Sequence, residues 1–342
     1  MRRRSLMAAL LTLGLAACHP TPSYTSAPHY RLSTVTNGLS SGSGLAFGPD
    51  GIYLATPKGL ALLEPEGHLR LIVPLASSSL QAPAGMALAT GSLFVSDPSS
   101  NRVWQVVEGS SPQPFAGTGT SLLPIGDGDL AISAQLNSPC DVAVGSGGNL
   151  YIVDRDNQRI RKVDANGRIS TVAGNGETQP FATGKATRTS LFDPEAVAIG
   201  PDGSLYIADT GHQVIRKVSP DGQMTTVAGD GKEGFKGDGG PALDGELASP
   251  SGVAVLPSGN LLIADTGNHR IRWVQPGGPI QTVAGNGQIG NTDEAPDAAN
   301  AKLDLPGNIV LAPDGTPFFT DRATHRLYQL QKTGGASASA SP

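Results

Sequence analysis

Short apolar runs separated by turn residues make up most of the chain. Four such runs fill the stretch from Ser249 to Gly287, at Val253–Leu256, Leu261–Ala264, Ile271–Val274 and Ile280–Ala284. The segments between them are rich in Gly, Pro, Asn and Asp. This pattern predicts hairpin-linked strands in a four-stranded antiparallel meander, not helices. A lone meander leaves apolar surface uncovered, so we expect neighbours of the same kind.

The same unit recurs along the chain. The last residue of each second strand recurs at steps of 41, 57, 55, 56 and 56 residues, at Thr56, Asp97, Asp154, Asp209, Asp265 and Asp321. Six units at nearly constant spacing form an internal repeat. The sixth unit lacks a fourth strand, while R-L-S-T-V-T-N-G at residues 31–38 matches R-I-S-T-V-A-G-N-G at 168–176 apart from one inserted residue.

These observations predict the fold class. The match identifies residues 31–36 as the missing fourth strand of the sixth unit, and pairing there closes the six units into a ring. We predict an all-β, six-bladed β-propeller of four-stranded antiparallel blades over residues 30–332, with the N-terminal strand closing the last blade. The 45 Gly and 27 Pro residues fit a fold dense in turns.

The beginning of the chain has the composition of a signal peptide. Three arginines precede an apolar stretch at 6–17 that is too short for a permanent membrane helix. Leu15-Ala16-Ala17-Cys18 resembles the lipobox of a bacterial lipoprotein. The resemblance implies a signal peptide at 1–17 and lipidation of Cys18. The alternative is an ordinary secretory signal with a chance Cys.

A lipid on Cys18 implies anchoring to a membrane of the cell envelope. The absence of Asp after Cys18 resembles outer-membrane sorting if the cell is Gram-negative. The Pro/Ser/Thr-rich segment 18–29 is then a tether, and 333–342 a disordered low-complexity tail. Cys140 would have no disulfide partner. The chain has a formal charge of −5 and no Lys/Arg cluster in its body, so we expect no nucleic-acid partner. We also expect a monomer.

The repeat motif resembles a known family. The pattern P-x-G-V-A-V followed by G-x-L-Y-I-A-D-T-x-N-H-R-I-R-K-V is similar to the NHL repeat, and the resemblance covers roughly residues 30–332. It implies a propeller that serves either as a binding module or as an enzyme. Strand order places all long loops on one end of the ring, the top face, at 117–138, 174–193, 229–249 and 285–305. We expect a protein or glycan ligand there.

Residues that recur in most blades are predicted to be structural. Asp and Arg five residues apart recur as Asp97/Arg102, Asp154/Arg159, Asp265/Arg270 and Asp321/Arg326. We expect the Asp to accept turn N–H groups and the Arg to pair with it or with a neighbouring blade. His212, His269 and His325 belong to the motif and lie on separate blades, so a shared zinc centre, as in the peptide-amidating lyases, is not expected. Asp residues in 229–246 are predicted to cap turns.

Positions that differ between blades are the better site candidates. The two residues after the Pro that enters each first strand include Asp141, Glu195 and Asn308. First strands line the channel of a propeller, so these three side chains are predicted to converge at its top and to bind ligand. Their oxygens also suit calcium, in an arrangement similar to the metal-dependent lactonases built on six-bladed propellers. They can equally line a water-filled channel. No catalytic residue is assigned, no cofactor is expected unless calcium is bound, and Cys140 is predicted to be a small buried residue.

Overall fold

Six antiparallel sheets follow one another along the chain in the computed structural model, which describes residues 25–40, 44–121 and 125–333. The strands in chain order are β1 (Tyr30–Asn37), β2 (Leu45–Gly48), β3 (Gly51–Thr56), β4 (Gly59–Leu63), β5 (Leu69–Pro74), β6 (Met86–Ala89), β7 (Ser92–Asp97), β8 (Arg102–Val106), β9 (Gln113–Ala116), β10 (Pro139–Val144), β11 (Leu150–Asp154), β12 (Arg159–Val163), β13 (Ile169–Ala173), β14 (Gly184–Lys185), β15 (Pro194–Ile199), β16 (Leu205–Asp209), β17 (Val214–Val218), β18 (Gln223–Ala228), β19 (Pro250–Val255), β20 (Leu261–Asp265), β21 (Arg270–Val274), β22 (Ile280–Ala284), β23 (Glu294–Ala295), β24 (Pro306–Leu311), β25 (Pro317–Asp321) and β26 (Arg326–Lys332).

The helical elements of the described residues are single 3₁₀ turns. They lie at Leu75–Ser77, Pro98–Ser100, Ala131–Ser133, Ser146–Gly148, Arg155–Asn157, Ala186–Arg188, Thr210–His212, Ala242–Asp244, Thr266–Asn268 and Ala298–Asn300. The part of the chain that the structure describes contains no helix long and apolar enough to cross a membrane. The predicted signal peptide, Cys18 and residues 334–342 of the predicted tail lie outside the described residues.

The sheets are the predicted blades. Blades 1 to 5 are β2–β5, β6–β9, β10–β13, β15–β18 and β19–β22, and blade 6 consists of β24, β25, β26 and β1. Strand β1 pairs antiparallel with β26, from Tyr30 opposite Lys332 to Asn37 opposite Arg326. The prediction of a six-bladed propeller closed by its N-terminal strand is therefore confirmed.

Apolar side chains pack between neighbouring blades. Between blades 5 and 6, Trp273, Phe319 and Tyr328 are almost fully buried, and the rings of Phe319 and Tyr328 stack with centroids 5.2 Å apart. The first strands of all six blades, β2, β6, β10, β15, β19 and β24, surround a central channel of about 360 Å³. Residues near the start of these strands, among them Asp141, Ala196 and Asn308, line this channel.

The turn between the second and third strands ties each blade to the next. Gln158 has a left-handed backbone with φ of 54°, and its Oε1 accepts the N–H of Asp193 at 2.7 Å. Gln213 does the same for the N–H of Ser249, at 2.6 Å. His269 stands at the equivalent position and contacts the carbonyl of Asp304 through Nδ1. His269 is thus part of the scaffold.

The last residues of the predicted tether contact the ring. The backbone N–H of Thr25 donates to Oε1 of Gln275 at 3.1 Å, and that of Ala27 donates to Oε1 of Gln281 at 2.9 Å. Both glutamines belong to blade 5 or its turn. The chain therefore enters the ring alongside blade 5, and residues 18–24 of the tether lie outside the described part.

Candidate functional site

The repeated aspartates are fully buried and hold the entry of the first strand. Asp154 Oδ1 accepts the N–H of Asn137 at 2.8 Å, and Asp265 Oδ1 accepts that of Ala248 at 2.8 Å. The corresponding bonds from Gln81, Phe192 and Asp304 to the aspartates of blades 2, 4 and 6 measure 2.8, 2.8 and 2.7 Å. These carboxylates satisfy backbone donors, as the sequence suggested, and belong to the scaffold.

The arginine five residues later does not pair with this aspartate. Arg159 donates instead to the carbonyls of Asn157 and Asn175, at 2.7 and 2.8 Å. The partner of Asp154 is Arg161, at 3.0 Å, and Arg272 takes the same place with Asp265 at 2.8 Å. A directly opposite arginine is too long to fold back, whereas the diagonal position suits its length. The expected pairing of the aspartate with the arginine five residues later is wrong, and the arginine seven residues later is its partner.

The long loops between blades are structural straps over most of their length. We define the straps as residues 125–135, 180–190, 236–246 and 291–301. Each one pairs with the outer strand of the following blade; in blade 5, Gly239 N–H donates to Ile280 at 2.7 Å and Ile280 N–H to Gly240 at 3.0 Å. Ala131 N–H reaches the carbonyl of Gly167, at the opposite end of blade 3. The straps therefore run down the outer edges and leave the top face.

Charged residues of the straps pair with the buried arginines. Asp127 lies 2.8 Å from Arg161, and Asp238 lies 2.6 Å from Arg272, while both arginine side chains are fully buried. Asp238 is one of the acidic residues of the 229–246 loop. Its carboxylate neutralises a buried guanidinium in place of the predicted turn cap, whereas Asp230 makes the predicted cap, with its Oδ1 accepting the N–H of Lys232 at 2.8 Å.

His212 occupies a structural position of the repeat. His212 places Nδ1 2.9 Å from Asp209 and Nε2 2.9 Å from the carbonyl of Gln179. Asn157 and Asn268 occupy the same repeat position and bridge the same two kinds of acceptor. Among the described residues, no group of three or more His, Cys, Asp or Glu is arranged to hold a metal ion.

The three predicted site residues lie around one cavity. Asp141, Glu195 and Asn308 line a pocket of about 200 Å³ at the top of the channel, which we call the mouth pocket. They come from the first strands of blades 3, 4 and 6. The remaining lining residues are Ala84, Gly85, Pro98, Cys140, Arg155, Ala196, Ser251 and Arg322. The structure thus brings the predicted residues together and adds two arginines that the sequence interpretation missed.

Arg322 crosses the mouth pocket from blade 6. Its Nη1 lies 3.3 Å from Oε2 of Glu195 in blade 4, and its Nη2 donates to Oγ of Ser251 at 3.2 Å. Ser251 is held in turn by the hydroxyl of Thr266, at 2.6 Å. The side chain of Arg322 is about one-third exposed. The network of Arg322, Glu195 and Ser251 is therefore a partly buried polar bridge over blade 5.

Arg155 reaches the pocket from blade 3, opposite blade 6 in a ring of six. Its Nε lies 3.2 Å from Asp156 and 3.6 Å from Asp193. Both pocket arginines directly follow a repeat aspartate, where the six blades carry Pro57, Pro98, Arg155, Thr210, Thr266 and Arg322. A comparison of this position between blades is the sequence signal that would have found them.

The carboxyl of Asp141 is enclosed by groups of the two neighbouring blades. Its Oδ2 accepts the N–H of Val197 from the next blade at 2.9 Å. A Cβ atom on Gly85 would lie 2.3 Å from Oδ1 of Asp141, so only glycine fits beside this carboxyl. Burial raises the pKa of Asp141 to about 7. A pKa near 7 leaves this carboxyl partly protonated at neutral pH.

Cys140 is a neutral, half-buried thiol beside Asp141, and not the fully buried residue that the sequence predicted. Its Sγ donates to the carbonyl of Glu195 at 3.4 Å. Burial, with a smaller contribution from the charge of Asp141, raises the pKa of the Cys140 thiol well above its ordinary value. A thiol held in this form is a weak nucleophile, so it serves as a small wall residue of the pocket.

Comparison with known proteins places this repeat in a family. The family described as the teneurin NHL domain matches residues 32–182 and 169–230, and the NHL repeat matches 247–274. The chain belongs to the teneurin NHL domain family. Mouse teneurin-3 is 30% identical over 344 residues, which cover 86% of this chain and 12% of teneurin-3. The NHL propeller therefore spans only a small part of the curated relatives that it matches.

Solved structures of low identity share the NHL propeller's fold. An auxiliary nutrient binding protein from Bacteroides thetaiotaomicron has a TM-score of 0.66 at 14% identity, over 90% of this chain and 78% of that one. A gluconolactonase from Xanthomonas campestris has a TM-score of 0.59 at 14% identity, over 92% of this chain and all of that one. At this identity the likeness concerns the fold alone.

Proposed function

We propose that this NHL propeller binds a protein or glycan ligand on its top face, with the mouth pocket as the centre of the site. The observation that carries the proposal is the convergence of Asp141, Glu195 and Asn308, together with Arg155 and Arg322, on one cavity. Partly buried charged groups cost stability, and such clusters are found preferentially at functional sites.

The other polar clusters of the ring have structural partners. The repeat aspartates accept backbone N–H groups, and the straps use their carboxylates on buried arginines. The mouth pocket differs because its polar groups surround open space. A ligand that covers the top face would place one polar group there, and the similarity of fold to an auxiliary nutrient binding protein supports a binding role.

A binding panel tests this proposal. We expect Glu195→Gln combined with Asn308→Ala to weaken at least one interaction found on a glycan array or a peptide array by tenfold or more. A matched control is Glu66→Gln combined with Asn166→Ala, two exposed residues in turns at the opposite end of the blades. Equal binding by both variants and the unmodified protein would rule out the mouth pocket as the site.

We further propose that the ring is monomeric and tethered to the cell envelope through a lipid on Cys18, at the outer membrane if the cell is Gram-negative. The support is the lipobox-like sequence before Cys18, in a segment that lies outside the described residues. Metabolic labelling with an alkyne fatty acid should mark the protein and not Cys18→Ala. Equal labelling of the two proteins would refute the anchor.

A second candidate function is a calcium-dependent, lactonase-like hydrolase or a lyase. The convergence of three oxygen-bearing side chains favours it, as does the fold shared with a gluconolactonase. The donor set fits calcium poorly, because the Arg322 guanidinium lies 3.3 Å from Glu195 and already balances its charge. Stoichiometric calcium that is lost in Asp141→Asn/Glu195→Gln, with hydrolysis of a lactone panel, would favour this function over binding alone.

A further inference from the structure

Arg155 and Arg322 occupy the same repeat position but have different hydrogen-bond partners. In Arg322, both terminal nitrogens have partners, Glu195 and Ser251. In Arg155, Nε is held between Asp156 and Asp193 on the rim, while Nη1 and Nη2 make no hydrogen bond within the described chain. Other blades place Pro or Thr at this position, and the Thr hydroxyls bond to the next blade at 2.7 Å.

The orientation of Arg155 suits an anion. Its side chain is one-third exposed and lines the mouth pocket, so its terminal N–H groups have lost part of their water. A guanidinium offers two parallel N–H donors in a plane, which match the two oxygens of a carboxylate. Nε stays fixed by Asp156, so the fork would lose little side-chain entropy on binding.

The other residues that line the mouth pocket with Arg155 leave room for a ligand. Blade 2 contributes only small or rigid residues there, Ala84, Gly85 and Pro98. Asp141, another acid that lines the pocket, packs against Gly85 and accepts the N–H of Val197, so its carboxyl already has partners. A volume of about 200 Å³ admits one small ligand group and not a whole folded partner.

We propose that the mouth pocket binds a carboxylate group of the ligand, with Arg155 as the residue that binds it through both terminal nitrogens. Asn308 and the Glu195–Arg322 pair then contact the polar groups next to that carboxylate. This inference rests on the proposed binding function and names the chemistry of its ligand. The carboxylate belongs either to a sugar acid or to a peptide C-terminus, since both offer the same two oxygens.

Matched pairs of small probes test the proposal by calorimetry on the full propeller. The pairs are glucuronate with glucose, and N-acetyl-dialanine with its C-terminal amide. We expect one carboxylate probe to bind at least tenfold more tightly than its neutral partner, and Arg155→Gln to lose that difference while Arg155→Lys keeps part of it. Arg31→Gln, on the outer strand of blade 6, changes net charge equally and should bind as the unmodified protein does.

The outcomes separate this inference from the proposed function. Equal affinity for the members of each pair, undiminished carboxylate binding in Arg155→Gln, or no binding of either carboxylate up to about 10 mM would overturn carboxylate recognition. If Glu195→Gln/Asn308→Ala still loses the array interaction, the mouth pocket remains the site of another ligand chemistry. If that variant also binds normally, the proposed function fails as well. The pair that shows the difference identifies the source of the carboxylate.

Discussion

Aspartates occupy two kinds of environment in this propeller. The repeat aspartates are fully buried, yet Asp154 and Asp265 receive both a backbone N–H and a guanidinium. Asp141 receives backbone N–H groups, but it forms no ion pair with any arginine or lysine of the described chain. The cost of burying its charge is therefore only partly offset, and its pKa rises.

The raised pKa makes the stability of the ring depend on pH at Asp141, in addition to Asp154 and Asp265, whose pKa values burial also raises. The pKa of Asp141 is about 7 in the fold against 3.8 for the free group, so the folded state binds the proton more tightly. The contribution to stability is full below pH 4 and is lost as pH rises through 7. We expect Asp141→Asn to gain stability relative to the unmodified protein between pH 4 and pH 8, by roughly 2–4 kcal/mol, in urea unfolding.

An exposed aspartate provides the control for this measurement. Asp50→Asn, in the turn of blade 1, should show no such relative gain across the same range. Parallel pH profiles for Asp141→Asn and the unmodified protein would contradict the assignment of a raised pKa to Asp141.

The residues of the mouth pocket differ in how far the sequence predicts them. Asp141, Glu195 and Asn308 were predictable because they break the pattern at one repeat position, and they meet in the mouth pocket. Arg155 and Arg322 break the pattern at the position after the repeat aspartate, where the other blades carry Pro or Thr. Arg155 lies in a 3₁₀ turn and Arg322 in a turn after the second strand, and no apolar periodicity reports where the side chain of a turn residue lies.

At the scale of elements, the straps account for features that the repeat alone did not predict. Each strap adds hydrogen bonds to the outer edge of the next blade, where an uncovered strand would leave donors and acceptors unpaired. The strands were predictable from short apolar runs. The straps were not, because they carry no apolar pattern and their partners lie far away along the chain: Leu130 pairs with Arg168, Asp238 with Ile280, and Glu294 with Ser33 of β1.

The strap of blade 4 contains a defect that can be repaired. Ala182 stands where Asp127 and Asp238 pair with Arg161 and Arg272. The equivalent Arg216 is fully buried, and its Nε and Nη1 have no hydrogen-bond partner. We expect Ala182→Asp to raise the free energy of unfolding by about 1–2 kcal/mol, measured by chemical denaturation.

A neutral side chain of the same shape separates charge from packing. Ala182→Asn should give less than half of the gain, while Asp238→Ala, which removes the partner of Arg272, should lower stability by about 1–3 kcal/mol. Identical stabilities of Ala182→Asp and Ala182→Asn would refute the role assigned to the strap carboxylates.

At the scale of the whole molecule, closure by β1 holds the two ends of the chain together. Tyr30 and Leu32 of β1 are 4% and 0% exposed, and both pack in the core between blades 5 and 6. The closure was predictable from the sequence, because the sixth unit lacks a fourth strand and the segment at 31–38 matches the fourth strand of blade 3. A ring has no free end blades, so its blades should unfold together.

Deletion of residues 30–36 tests this cooperativity. Loss of Leu32 alone should cost about 2–5 kcal/mol, so the deletion should lower the unfolding temperature of the entire ring in a single calorimetric transition. Deletion of residues 334–342, outside the described part, is the control and should leave it unchanged. An unchanged midpoint after deletion of 30–36, or a small separate transition, would show that β1 is dispensable.

The central claim is that ligand binds at the mouth pocket and that the straps are scaffold. Hydrogen–deuterium exchange, with and without the tightest binder from the array, tests it most directly. We predict slower exchange at the starts of the first strands, residues 139–142, 194–197 and 306–309, with little change in the straps at 125–135 and 236–246. Protection confined to the straps or to the turns at the opposite end of the ring would contradict the claim.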